Sequence, residues 1–165
     1  MKIKLLLVVS IVLSFVLVAC SGEEKKTKPD YTVEEAVNDG HLVVQNLGEN
    51  LDEVIRDGKM ETKQLNKIFE FKKMADQGKE ANVKITIFNK DGTYATNKLS
   101  FTGKKYVFEN NYAGYQSSKG TFTCDYFNLM RGTAELQMCK NNEGKQLKRM
   151  TVLISEMSQF HNCSF

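Results

Sequence analysis

The sequence predicts an α+β fold, an amphipathic helix packed on an antiparallel β-meander of about five to six strands, and three stretches carry the prediction. Between Thr62 and Gln77 the residues Leu65, Ile68, Phe69, Lys72, Met74 and Ala75 recur at spacings of three and four, the period of a helix with one buried face. From Val83 the period falls to two: Val83, Ile85 and Ile87 alternate with their neighbours, and Lys90-Asp91-Gly92 then supplies a hairpin turn. Between Cys124 and Cys139 the chain reads as strand, turn at Arg131-Gly132, and strand.

The chain of 165 residues opens with a secretory signal layout. Lys2 and Lys4 precede an almost wholly apolar run from Leu5 to Val18, shorter than the roughly 20 residues of a permanent membrane span. Leu17-Val18-Ala19-Cys20 ends the run as a lipobox, in which Cys20 is the lipidation site and residues 1–19 are a signal peptide removed by cleavage. The alternative is an ordinary signal peptide with a chance cysteine. Lipid of two or three acyl chains, palmitate among them, anchors far more firmly than a single chain, so the expected location is the outer face of the cytoplasmic membrane. Residues 20–30 follow as lipidated cysteine and spacer. Ser21 to Asp30 has no large apolar side chain and holds the only proline, Pro29, so it lacks the surface to fold.

Residues 31–165 are expected to form a single domain, enough chain for one core. Its formal charge is near neutral: the full chain carries +3, and cleavage removes two of the 23 basic residues against 20 acidic ones. That balance gives no electrostatic footprint for nucleic acid. Thr32 and Glu35 form a capping box for a short helix over Thr32–Asn38, stopped by Gly40. His41 to Gln45 reads as a strand, and Asn46 to Lys59 as one or two helical turns around Leu51, Val54 and Ile55. The main helix, Thr62–Gln77, ends at Gly78, with a lysine-rich face turned to solvent. After the first hairpin strand the return strand runs Thr93–Phe101. A turn at Thr102-Gly103-Lys104 leads to a third strand at Tyr106-Val107-Phe108. Tyr106, Phe108, Phe122 and Tyr126 fall at core or sheet-face positions, and Met150–Ile154 is a last strand.

With Cys20 lipidated, Cys124, Cys139 and Cys163 remain, an odd number for an oxidising compartment. If Arg131-Gly132 sits at the middle of the turn, Cys124 and Cys139 face each other. A four-residue loop, Met130 to Thr133, would make theirs a non-hydrogen-bonded pair, the closer kind. A Cys124–Cys139 disulfide is therefore expected, two buried free thiols being the alternative, and Cys163 is left over.

Several of these elements occur together elsewhere. His41–Val44, Leu65–Gly78, Val83–Ile87 (VKITI), Asp91-Gly92, Leu99–Tyr106 (LSFTGKKY), Asn110–Tyr112, Cys124 and Cys139 resemble the pattern of an uncharacterised domain shared by small lipoproteins of Gram-positive bacteria. The resemblance covers roughly Val33 to Cys139 and departs at Asn46–Met60 and after Asn141. It implies a location and an α+β domain, but no activity and no cofactor.

The remaining chemistry is sparse. His41 and His161 lie at opposite ends of the domain, neither at ligand spacing from another His or Cys, so no metal is expected. There is no phosphate loop, nucleophile elbow, CxxC pair or distinctive carboxylate pair. One stretch has the composition of a binding loop: Asn110, Asn111, Tyr112, Tyr115 and Gln116 lie in a run of Asn, Tyr, Ser and Gly between two strands. The alternative is a plain polar connection. The expected function is thus a noncatalytic, membrane-anchored module binding an envelope protein or peptide, with no cofactor. The competing expectation is a cell-envelope hydrolase whose site assembles only in three dimensions.

Overall fold

The structure, a computed structural model, describes residues 31–115 and 117–156. Cys20, Gln116, His161, Cys163, the signal peptide and the spacer lie outside them. In chain order the elements are α1 (Val33–Asn38), β1 (Leu42–Asn46), α2 (Leu51–Arg56), β2 (Met60–Lys63), α3 (Asn66–Asp76), β3 (Ala81–Phe88), β4 (Tyr94–Phe101), β5 (Tyr106–Asn110), β6 (Gly120–Cys124), β7 (Tyr126–Met130), β8 (Thr133–Asn141) and β9 (Gln146–Ile154).

The expected α+β class, one helix on a five- to six-stranded meander, is corrected. The described residues are mostly β: among them are one nine-stranded, curled mixed sheet in the form of a half-barrel and three short helices. The sheet runs β2-β1-β3-β4-β5-β6-β8, with β7 and β9 also paired to β8. Two features lay outside the sequence pattern. Met60–Lys63 (METK) shows no alternation, and it becomes a strand by pairing with β1, Val43 opposite Lys63 and Asn46 opposite Met60. β1 then lies parallel to β3, Leu42 opposite Ile85, a pairing that the crossover through β2 and α3 makes possible. The helix itself starts later than its apolar period suggests, at Asn66, because Thr62 and Lys63 belong to β2 and Gln64 turns the chain with φ +58°.

The central strands follow the sequence closely. β3 and β4 pair along their whole length from Ala81–Phe101 to Phe88–Tyr94, closed by the turn around Asp91-Gly92. β4, β5 and β6 continue antiparallel, which places Phe108 opposite both Leu99 and Phe122. The inner face of the sheet, with Leu42, Ile85, Ile87, Leu99, Phe108 and Leu136, is wholly buried. Ile68, Phe69, Phe71 and Ala75 of α3 cover part of it. Phe71 meets Phe127 edge-on, ring centres 5.5 Å apart. On the opposite face α1 buries Ala36 against Val43 and Phe88, with Tyr31 alongside. Tyr106, Phe108 and Phe122 are buried as expected, but Tyr126 is 59 % exposed.

The Cys124–Cys139 disulfide is present. Its hairpin turns on two residues rather than four: Met130 pairs with Thr133, and Arg131 and Gly132 both take positive φ, 45° and 83°, the combination that matches strand twist in a tight turn. Alternation from that turn would put the cysteines at a wide, hydrogen-bonded pair. The ladder breaks first. Pairing stops at Tyr126–Gln137 and resumes at Thr123–Lys140, with Met138 at φ +55° and the Asp125 N–H donating to the Gln137 carbonyl. Across this break the two Cα atoms stand 4.0 Å apart.

Candidate functional site

The loop between β5 and β6 is tied to the ends of two distant strands. Asn110, 2 % exposed, donates from Nδ2 to the Ser118 carbonyl at 2.8 Å and accepts the Tyr112 N–H at 3.2 Å. Asn111 is held to β4: its N–H reaches Asn97 Oδ1 and its Nδ2 the Thr96 carbonyl, both at 2.7 Å. Tyr112 then points at the C-terminal ends of β1 and β3. Its hydroxyl accepts from Asn46 Nδ2 at 2.8 Å and donates to Asn89 Oδ1 at 3.1 Å. Asn46 Nδ2 also reaches Asn89 Oδ1 at 3.3 Å, closing a triangle of three side chains.

Tyr115 is packed edge-on to Tyr112, ring centres 4.9 Å apart, and lies in the main core at 6 % exposure. Its hydroxyl is buried without a well-formed hydrogen bond. The Asn46 amide and the Ile154 backbone approach it, and burial pushes its pKa far above the ordinary tyrosine range. Burial also raises that of Tyr112. Neither phenol is thereby a better acid. Asn46 Oδ1 is likewise buried and unpartnered among the described residues. The structure therefore brings Asn110, Asn111, Tyr112 and Tyr115 together, with Asn110 and Tyr115 turned inward and Tyr112 at the boundary with solvent.

That boundary is a cleft of about 320 Å³. Asn46, Asn89, Tyr112 and Gly114 form one side, and Leu51 and Val54 of α2 the other. Asn50 caps α2 by accepting the Glu53 N–H at 3.0 Å, and the rim carries an ion pair between Glu49 and Lys90. The segment from Asn46 to Lys59, expected to make one or two helical turns and forming α2 within it, thus supplies half of the cleft. No short-range signal pointed to it, because Asn46 and Tyr112 are 66 residues apart.

Gly114 is required by the packing of the loop. A Cβ there would lie 2.2 Å from the Tyr112 hydroxyl oxygen and 2.3 Å from Cζ. Gly114→Ala is expected to swing the ring away, break its bonds to Asn46 and Asn89, and cost about 1–3 kcal/mol in a thermal melt. In a Tyr112→Ala background the same substitution should cost little, since the two residues act through one contact.

His41 occupies the other end of β1. It is 7 % exposed, its Nδ1 shares a hydrogen with Thr86 Oγ1 at 2.9 Å, and Thr86 Oγ1 meets Thr96 Oγ1 at the same distance. Burial chiefly, with Lys84 and Lys67 adding to it and Asp39 opposing, lowers its pKa below the usual histidine value. A depressed histidine pKa means that the unfolded chain takes the proton first, so stability falls as pH drops below about 6.5. The stability gap between wild type and His41→Gln, measured by urea unfolding, should narrow from pH 7.5 to pH 5. A constant gap would remove His41 from the pH response. Among the described residues no three His, Cys, Asp or Glu side chains gather closely enough to hold a metal ion.

Compared with known protein families, curated proteins and solved structures, the chain matches none.

Proposed function

We propose that the protein is a lipid-anchored module on the outer face of the cytoplasmic membrane that binds an envelope protein or peptide through the Tyr112 cleft and performs no chemistry of its own. The lipobox ending in Cys20 is the observation that carries the location, and the spacer to Asp30 gives the domain reach. The cleft supports the binding half. Its polar floor, Asn46, Asn89 and Tyr112, is made of uncharged groups bonded to one another, suited to exchanging hydrogen bonds with a polar ligand rather than to moving protons.

Fatty-acid labelling of wild type and Cys20→Ala tests the anchor: label and membrane association should both disappear in the variant. For the cleft, cross-linking recovery of partners is compared between wild type and a Glu49→Ala/Lys90→Ala variant, whose exposed ion pair contributes little to folding. Equal recovery would remove the cleft from the reading. A cell-envelope hydrolase is the second reading, favoured by the approach of His41 to a hydroxyl. Thr86 is, however, wholly buried and shared with Thr96, out of reach of a substrate. Hydrolysis of p-nitrophenyl acetate by wild type but not by His41→Gln would favour that alternative.

A further inference from the structure

The N-terminal end of β3 carries an unpaired sheet edge. β1 joins β3 only from Ile85 onward, whereas β4 pairs with the other side of β3 from Ala81. Ala81, Asn82 and Val83 therefore have a strand neighbour on one side only, among the described residues. Backbone groups on such an edge are a template for another strand. The neighbouring space is a cleft of about 310 Å³, walled on its far side by Phe71 and Met74 of α3. Met74 is 41 % exposed.

Two amines, Lys67 and Lys84, and one carboxylate, Asp39, line the end of this cleft where β1 begins. Lys67 Nζ lies over Gly40, 3.8 Å from where a Cβ would stand. Lys84 lines the same cleft, and both amines act on His41. Asp39 and Glu70 line the cleft too and keep their charge, but each already accepts a hydrogen bond, Asp39 from the Tyr31 hydroxyl at 2.5 Å and Glu70 from the Asn66 amide at 3.0 Å, and neither forms an ion pair with a lysine among the described residues. Lys67 and Lys84 have no ion pair or side-chain hydrogen bond among the described residues.

We infer that this cleft binds an extended peptide ending in a free carboxylate, laid as a short strand along Ala81–Val83 with its terminus held between Lys67 and Lys84. The charge sets the direction. With the carboxylate at the Gly40 end the peptide runs parallel to β3 and continues the line of β1. At about 3.3 Å per residue the open edge accommodates about three residues. Main-chain hydrogen bonds to the edge supply affinity, and alternate side chains rest on Phe71 and Met74, so an apolar residue is preferred there. A carboxylate between two amines forms charge-assisted bonds, stronger than neutral ones. This site lies at the opposite end of β1 and β3 from the Tyr112 cleft and does not depend on it.

The test uses the full-length chain in detergent micelles and fluorescence anisotropy of labelled peptides Gly-Ser-Thr-Thr-X, where X is Ala, Val, Leu, Phe or Lys, each as free acid and as C-terminal amide. At least one free acid should bind, with its amide weaker by about tenfold or more. Lys67→Ala and Lys84→Ala should each weaken the acid by about tenfold and leave the amide unchanged, while N-methylation of the peptide's central amide should abolish binding. Both lysines are on the surface, so circular dichroism should show folded variants. Failure of every free acid to bind at millimolar concentration, equal affinity of acid and amide, or lysine variants without effect would each overturn the inference. So would loss of the peptide in Tyr112→Phe, which would assign it to the other cleft.

Discussion

Replacing Phe108 by alanine is expected to lower the stability of the fold by about 3–5 kcal/mol. The side chain is fully buried in the middle strand of the meander, facing Leu99 on β4 and Phe122 on β6. Its removal leaves a void bounded on two sides by strands whose registers are fixed by backbone pairing, so the walls can close only in part. Against the 5–15 kcal/mol of an ordinary domain, such a loss is a large fraction of the total. The urea midpoint should fall sharply with an unchanged slope. Tyr126→Ala is the matched control, an aromatic residue on a strand that is 59 % exposed, and its effect should stay within about 0.5 kcal/mol. Similar losses at the two positions would mean that the sheet does not enclose its core on the face assigned to Phe108.

Loss of the disulfide is the second large effect. Cys124 and Cys139 close a loop with a sequence separation of 15, for which the chain-entropy account gives about 3 kcal/mol. For a domain of this size that corresponds to a fall of roughly 6–12 °C in melting temperature. Alanine is the cleaner replacement, because both sulfurs are buried, 0 % and 1 % exposed, and serine would leave a hydroxyl without a partner. The Cys124→Ala/Cys139→Ala variant should melt lower by this amount yet keep the same far-ultraviolet circular dichroism, since the hairpin retains its two-residue turn. Burial also shields the bond: mild reductant should leave it intact in the folded protein and cleave it once urea opens the sheet. Equal melting temperatures for the two proteins would show that the bridge does not constrain the unfolded chain.

What the sequence disclosed was local. β3, β4 and their turn were legible because alternation and Asp91-Gly92 are short-range signals, and the cysteine pairing was legible because Arg131-Gly132 fixes which residues face one another. The parallel contact of β1 with β3 was not, since Leu42 and Ile85 communicate only through the folded sheet. Met60–Lys63 is a strand because an edge was available to it, not because its residues alternate. These two events turned an expected small meander into a curled sheet, and they also moved the start of α3. The Asn110–Tyr115 loop could be picked out by its composition. Its partners, Asn46 and Asn89, could not, because a single asparagine at a strand end carries no signal of the ring it will meet.

The break in pairing between β1 and β3 also bears on aggregation. A half-barrel has free edges, and a free edge invites other sheets. β2 is only four residues long and carries Glu61 and Lys63, while β9 shows exposed Lys148 and Arg149 opposite a strand with an irregularity at Ala134/Glu135. Short length, charge and bulges are the usual deterrents to edge-to-edge growth. The edge at Ala81–Val83 has a different protection: α3 stands beside it, leaving a slot rather than an open flank. A strand already paired within another sheet has to pass α3 to reach this edge, so the position can stay unpaired without seeding fibres.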